Sequence, residues 1–145
     1  MAAEYLANAV QTIPIAGAAT FTASIPCTKG YVYHEDETGI FTLRGIVNNC
    51  CAKYATYQLT FNGNIAVSEG GTVGPISMAI AVNGEARPTS NAIVTPAAVG
   101  EYNNITSTCI IKVPRGCCQT VSVRNTSGTT EIDLQNANLV INRMP

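Results

Sequence analysis

The sequence predicts an all-β chain folded as one antiparallel sandwich or jelly roll. Three observations lead there. Apolar and polar residues alternate with period two in one segment after another, Gly/Pro/Asn-rich turns close those segments at short intervals, and no stretch carries a convincing helical repeat. At 145 residues the chain has the size of a single domain.

Residues 1–25 differ in character, being Ala-rich with little alternation. Residues 3–10 are long enough for one helical turn, but Pro14 and the β-branched residues beside it favour extended chain. The expectation is an N-terminal arm over 1–25 that reaches a neighbour, with the jelly-roll domain over 26–145. Short strands are expected at 19–25, 30–34 and 39–47. In 57–61, Tyr57, Leu59 and Phe61 face one way and Gln58 and Thr60 the other. In 76–82, Ile76, Met78, Ile80 and Val82 oppose Ser77, Ala79 and Ala81, and Asn83-Gly84 then tolerates the positive φ of a tight hairpin. Glu69–Pro75, Glu85–Asn91 and Thr95–Asn104 read as loops or loop–strand mixtures. Ile105, Cys109, Ile111 and Val113 line one side of 105–113. Pro114-Arg115-Gly116 turns the chain into 118–124, where Val121 and Val123 alternate with polar residues. Asn125–Gly128 is a further turn before a last strand around Leu139 and Ile141.

Charge content sets the surface apart. Only 12% of residues are Asp, Glu, Lys or Arg, about half the roughly 25% typical of soluble domains, while 46% are apolar. A small monomer keeps a charged, patch-free surface, so this composition favours a surface covered by other copies or by a partner. A coat of Thr, Ser and Asn is the alternative. The net charge is −1, and Arg44, Arg87, Arg115, Arg124 and Arg143 are scattered, so no basic stripe exists to neutralise phosphates and nucleic acid is not an expected partner. No stretch reaches the roughly 20 apolar residues that span a bilayer, so no membrane partner is expected either. Glu4 interrupts what would be the apolar part of a signal peptide, so synthesis in the cytoplasm is expected.

Six cysteines fall as Cys27, Cys50-Cys51, Cys109 and Cys117-Cys118. No pair has the two-residue gap of a zinc knuckle, and His34 is the one histidine, so no structural zinc is expected. Two readings stand: reduced, buried, small apolar side chains, or cross-linking by Cys50, Cys51, Cys117 and Cys118 once the protein leaves a reducing cytosol.

Catalytic chemistry finds no foothold. His34 ends a strand beside the acidic turn Glu35-Asp36-Glu37 with no nucleophile in sequence context. That turn lacks EF-hand spacing and reads as solvated. Glu131 and Asp133 sit two apart on one strand face with no sign of a cleft between them. Gly70-Gly71-Thr72-Val73-Gly74 opens no helix and lacks the Lys-Ser/Thr of a phosphate loop. No enzyme activity, catalytic residue, metal or cofactor is expected.

The runs Gly74–Glu85, Ala92–Val99, Val113–Thr126 and Asn136–Ile141, with Thr42-Leu43-Arg44-Gly45 and Phe61–Val67, resemble small proteins of phages and prophages of Gram-positive gut bacteria. More distantly, Gly39-Ile40-Phe41, Val82-Asn83-Gly84, Val121-Ser122-Val123-Arg124-Asn125 and Ala137-Asn138-Leu139-Val140-Ile141 are similar to tumour-necrosis-factor-like and complement-like jelly rolls, and to the tips of exosporium collagen-like glycoproteins. There is no Gly-X-Y stalk, which argues against a spore-surface filament, and the cysteines are no part of the general jelly-roll pattern. The resemblance implies a homotrimer with apolar and aromatic side chains along its axis. Phe41, Leu43, Tyr57, Leu59, Phe61, Leu139 and Ile141 are the candidate trimer contacts, and the same residues serve equally to fill each chain's own core. It further implies a virion location, as a capsid decoration or head-fibre subunit bound to a phage capsid or other virion protein. Two alternatives remain. One is a receptor-binding tip in which Tyr31, Tyr33, Tyr54 and Tyr102 stack on a host-surface glycan; the other is a self-polymerising surface filament.

Overall fold

A computed structural model describes residues 2–25, 30–47, 50–116, 118–128 and 130–144. In chain order the strands are β1 (Ala2–Ala7), β2 (Gln11–Ile13), β3 (Ala23–Ile25), β4 (Val32–His34), β5 (Phe41–Arg44), β6 (Tyr54–Val67), β7 (Ile76–Val82), β8 (Glu85–Ala86), β9 (Ala92–Val94), β10 (Asn103–Pro114), β11 (Cys118–Asn125) and β12 (Ile132–Met144), with one 3₁₀ turn at Pro88–Ser90. They form two antiparallel sheets. Sheet A runs β10-β6-β12-β1-β3, with β2 also on β12; sheet B runs β4-β5-β11-β7-β8, with β9 also on β7. This is the expected jelly-roll sandwich.

Strict alternation builds the core. Along β6, Ala55, Tyr57, Leu59, Phe61 and Ile65 point inward while Tyr54, Gln58 and Asn62 face out. Ile111 and Val113 of β10, Leu139 and Ile141 of β12, and Val121 and Val123 of β11 complete the same interior. At its centre Tyr5 and Phe21 meet Phe41 edge-on, at 4.6 and 5.4 Å between ring centroids. Tyr57 hydroxyl donates to the Arg44 carbonyl at 2.6 Å, so the one buried polar tip of this strand is satisfied.

The N-terminal segment departs from expectation. Residues 2–7 are not an arm standing off the domain: β1 pairs with β12 over six residues and with β3 on its other side. Ala3, Tyr5 and Ala7 are buried there, and Ile13 of β2 is buried too. The alternation was present but muted, because alanine supplies two of its three inward positions. Segment 14–19 is tied down as well. Asn125 Nδ2 reaches the carbonyls of Ile13 (3.1 Å) and Pro14 (3.3 Å), and Ala18 bridges Arg124.

The expected turn at Asn83-Gly84 forms, with φ of 52° and 85°. A second Asn-Gly step, Asn62-Gly63, stays inside β6. There the register against β12 slips between Gln135 and Asn138, with Asn136 at φ 56°. This is a β-bulge, two residues facing one. A Cβ on Gly63 opposite it would lie 2.7 Å from Leu134 Cδ1, so a larger residue there would have to displace that side chain.

Candidate assembly face and thiol base

The seven residues expected as trimer contacts, Phe41, Leu43, Tyr57, Leu59, Phe61, Leu139 and Ile141, are each 0–1% exposed in the single chain. They lie between the sheets and fill the chain's own core. A side chain with no exposed surface in one copy has none to offer another, so the expectation that they meet across a trimer is corrected. The residues left outward by the same alternation are the ones a neighbour would touch.

Registers place these outward residues in rows across sheet A. One row runs Thr108, Thr60, Val140, Glu4 and Ile25; the next runs Ile110, Gln58, Asn142 and Ala2; a third runs Thr106, Asn62, Asn138, Leu6 and Ala23. Among these fourteen positions Glu4 is the single charge, and Ile25 and Ile110 are 60% and 53% exposed. Amide and hydroxyl groups are bonded along the face: Asn104 Nδ2 donates to Asn62 Oδ1 at 2.9 Å and Thr106 Oγ1 to the same oxygen at 3.2 Å. Such mutual pairing lowers the cost of stripping water from them. The face therefore combines low charge, scattered apolar side chains and partly satisfied polar groups.

At one end of the sandwich, here the base, the crossover from β5 to β6 meets the turn from β10 to β11. Arg115 Nη1 donates to the Cys50 carbonyl at 3.0 Å, its backbone N–H to Lys53 O, and the Gly116 N–H to Gly45 O. Cys50 and Cys51 line a cleft with Lys53, Tyr54 and Arg115, and their sulfurs are 3.5 Å apart. Cys50, Cys51 and Cys118 are exposed. Cys117 and Cys27 lie outside the described residues. Cys109 differs from the exposed thiols: it is half-buried against the core, and burial pushes its pKa above the ordinary 9.0, with Arg87 opposing more weakly.

The tyrosines proposed as a sugar platform are not gathered. Tyr54 opens β6 at the base, whereas Tyr102 precedes Asn103, which pairs with Ile65 at the far end of the same strand. About eleven residues of strand, roughly 35 Å, separate them. Tyr31 lies under the Arg143 guanidinium at 5.2 Å. Tyr102 has a raised pKa, from desolvation first and the Asp133 carboxylate second. His34 stacks on Phe41 at 4.2 Å with Nε2 2.9 Å from the Thr38 carbonyl, which makes that nitrogen the donor. Its ring is thus a packing element on the aromatic centre, with Glu35, Asp36 and Glu37 on the exposed turn beyond it. The Asp133 carboxylate accepts from Thr12 and Ser68 hydroxyls at 2.8 and 2.7 Å, and so joins β2 and the residue that follows β6 to β12. Among the described residues no group of three His, Cys, Asp or Glu side chains is arranged to hold a metal ion, and no helix is long and apolar enough to cross a membrane.

No protein-family model and no curated protein matches the chain. Solved structures do resemble it. The globular domain of zebrafish complement 1qA protein matches with a TM-score of 0.64 at 12% identity, over 99% of this chain and 97% of that one. Eiger TNF from S. frugiperda matches at 0.67 and 12% identity over 100% and 92%, and murine APRIL at pH 5.0 at 0.64 and 11% over 99% and 98%. At such identities the likeness defines the fold alone. The chain is a jelly-roll sandwich of the tumour-necrosis-factor and complement-1q kind.

Proposed function

We propose that the chain is a non-enzymatic structural protein of a phage virion, a homotrimeric capsid decoration or head-fibre subunit whose copies join through the outward face of sheet A. The observation that carries the assembly is that face: fourteen outward positions across five strands with one charge among them. Five strands at about 4.8 Å and some seven residues at about 3.3 Å give it roughly 550 Å² in projection. A specific interface uses about 800 Å² per partner, which the face approaches once an adjoining edge is added. The fold likeness supports the reading, since the resemblance of the sequence to tumour-necrosis-factor-like domains implies trimers. The phage assignment rests on the resemblance of the runs 74–85, 92–99 and 113–126 to phage and prophage proteins.

Light scattering on the purified chain in reductant tests the assembly. The expected mass is three times the 15.2 kDa of one chain. Val140→Glu together with Ile110→Glu, both on the outward face, is expected to give a folded monomer with an unchanged circular dichroism spectrum. A wild-type monomer, or a trimer indifferent to these two charges, sinks the reading. For the virion role, labelled protein is expected to bind purified particles stripped of it; no binding would refute that part while leaving the trimer standing.

A further inference from the structure

We infer that the molecule has a cationic end and an anionic end, and that copies associate head to tail, the base of one seated on the acidic end of the next. This contact is separate from the sheet A face and does not rest on it. Arg44, Lys53, Lys112 and Arg115 are dispersed along the sequence, and all four are exposed. Strand pairing gathers them at the base. The Arg115 N–H donates to Lys53 O at 2.9 Å, and the Gly116 N–H donates to Gly45 O at 3.0 Å, beside Arg44. Arg44 is opposite Cys118 and Lys112 opposite Thr56, with Lys112 Nζ 5.8 Å from the Tyr54 ring centroid. Lys53, Tyr54 and Arg115 share the cleft that Cys50 and Cys51 line. Arg143 joins them opposite Tyr57 and donates to Ile46 O at 2.8 Å. The carboxylates next along these strands stand further up. Glu4 is opposite Val140, Glu85 is opposite Val82 and so level with Val121, and Glu35 follows His34, which is opposite Phe41. Each is at least three residues from the base, about 10 Å of strand.

The opposite end is acidic. Glu69 lies just past β6 and Glu131 just before β12, and both line a cleft with Ile15, Ser68 and Thr130. Glu101 is held at the same end, because the Gly100 N–H donates to Val67 O, and Asp133 is opposite Ala66. Arg124, the cation closest to that end among the described residues, turns its guanidinium to the Ala16 carbonyl at 3.1 Å. The 14 residues of β6 separate the two ends by roughly 40 Å. Screening acts over about 10 Å at 0.1 M salt, so the ends of one chain do not neutralise each other. The net charge of −1 leaves little general repulsion between copies. Each base therefore finds its complement, similar in number of charges and opposite in sign, on the acidic end of another copy. Two different surfaces meet in such a contact, so it is heterologous and repeats as an open stack.

Sedimentation of the full-length protein in reductant, at one protein concentration, tests this. At about 0.01 M NaCl, where screening reaches about 30 Å, the protein is expected to form multiples of the unit it shows at about 0.3 M. The association constant of those multiples is expected to fall at least tenfold between the two salts. Arg44→Glu and Lys53→Glu at the base, combined with Glu69→Lys and Glu131→Lys at the acidic end, keep the net charge at −1 while cancelling the excess at each end. That variant is expected to lose the multiples at low salt with an unchanged circular dichroism spectrum and the same unit mass at high salt. The base pair alone and the acidic pair alone are expected to lose them too. Multiples that survive in these variants or at high salt overturn the inference, as does a wild-type protein that forms none. Wild-type protein that stays single but is retained on heparin through Arg44 and Lys53 also overturns it, and assigns the base to an anionic polymer. The unit itself, one chain or three, is read at high salt, so failure of the stack and failure of the trimer are told apart.

Discussion

Single residues hold this fold where chain segments of little hydrophobicity must be fixed. Asn125, 2% exposed, donates through Nδ2 to the carbonyls of Ile13, Pro14 and Thr130 and accepts the Ser127 N–H at Oδ1. It thereby ties the end of β2 to the turn between β11 and β12. Asn125→Ala strips partners from several buried backbone groups at once and is expected to cost about 2–4 kcal/mol. A lower urea midpoint at an unchanged slope checks this; a shift below about 0.5 kcal/mol would show that the segment is held by other contacts. Cys109 makes a prediction in pH. Burial raises its pKa in the folded chain above the ordinary thiol value, so the folded state favours the neutral form. Its contribution is whole below the unfolded pKa and is lost as pH rises through the folded one. Stability is therefore expected to fall above about pH 9, and Cys109→Val to flatten that fall. Denaturation midpoints at pH 7 and pH 10 for both proteins decide it: equal falls in the two would assign the effect to other groups, of which Tyr102, also raised, is the first to examine.

At the scale of elements, β1 gives the sharpest expectation. It sits between β12 and β3 and buries Tyr5 against Phe41. Deleting residues 1–7 is expected to remove the cooperative thermal transition or lower it by more than about 10 °C, because a ladder partner and an aromatic of the central cluster go together. A truncated chain that melts like the full one would restore the arm reading. How legible such elements were followed from contrast. The strands with Val, Ile, Leu, Met or aromatic residues at alternate positions, β6, β7, β10 and β11, were plain in the sequence, and so were the turns at 83–84 and 114–116. β1 was not, since Ala3 and Ala7 signal burial weakly beside Ala2 and Leu6. The second half of β6 was also hidden. Asn62-Gly63 has the composition of a turn, and only the opposite bulge at Asn136 shows that the glycine makes room for another strand. The outward face followed from the alternation, but which face would be bare depended on pairing between residues over a hundred apart, such as Ala3 with Ile141. A single sequence does not display that register. For the same reason the large apolar residues suggested a contact between copies when they were the core of one.

For the whole molecule, the low charge that first suggested assembly is seen on sheet A. Its outward rows hold few ions, and these lie apart: Glu4 on β1, Lys112 toward the base on β10 and Asp133 at the far end of β12. An interface made from this face draws its energy from apolar area and from exchanged hydrogen bonds, and not from attraction between opposite charges. Salt screens the latter over about 10 Å at 0.1 M and leaves the former nearly alone. The dissociation constant of the proposed trimer is therefore expected to change less than roughly threefold between about 0.05 and 0.5 M NaCl. Strongly excluded salts such as sulfate are expected to tighten it. Sedimentation of the reduced protein across that series measures both. A steep weakening with NaCl would show that charged side chains elsewhere, the scattered arginines first, form the joint, and would move the contact off sheet A even if the trimer itself were found.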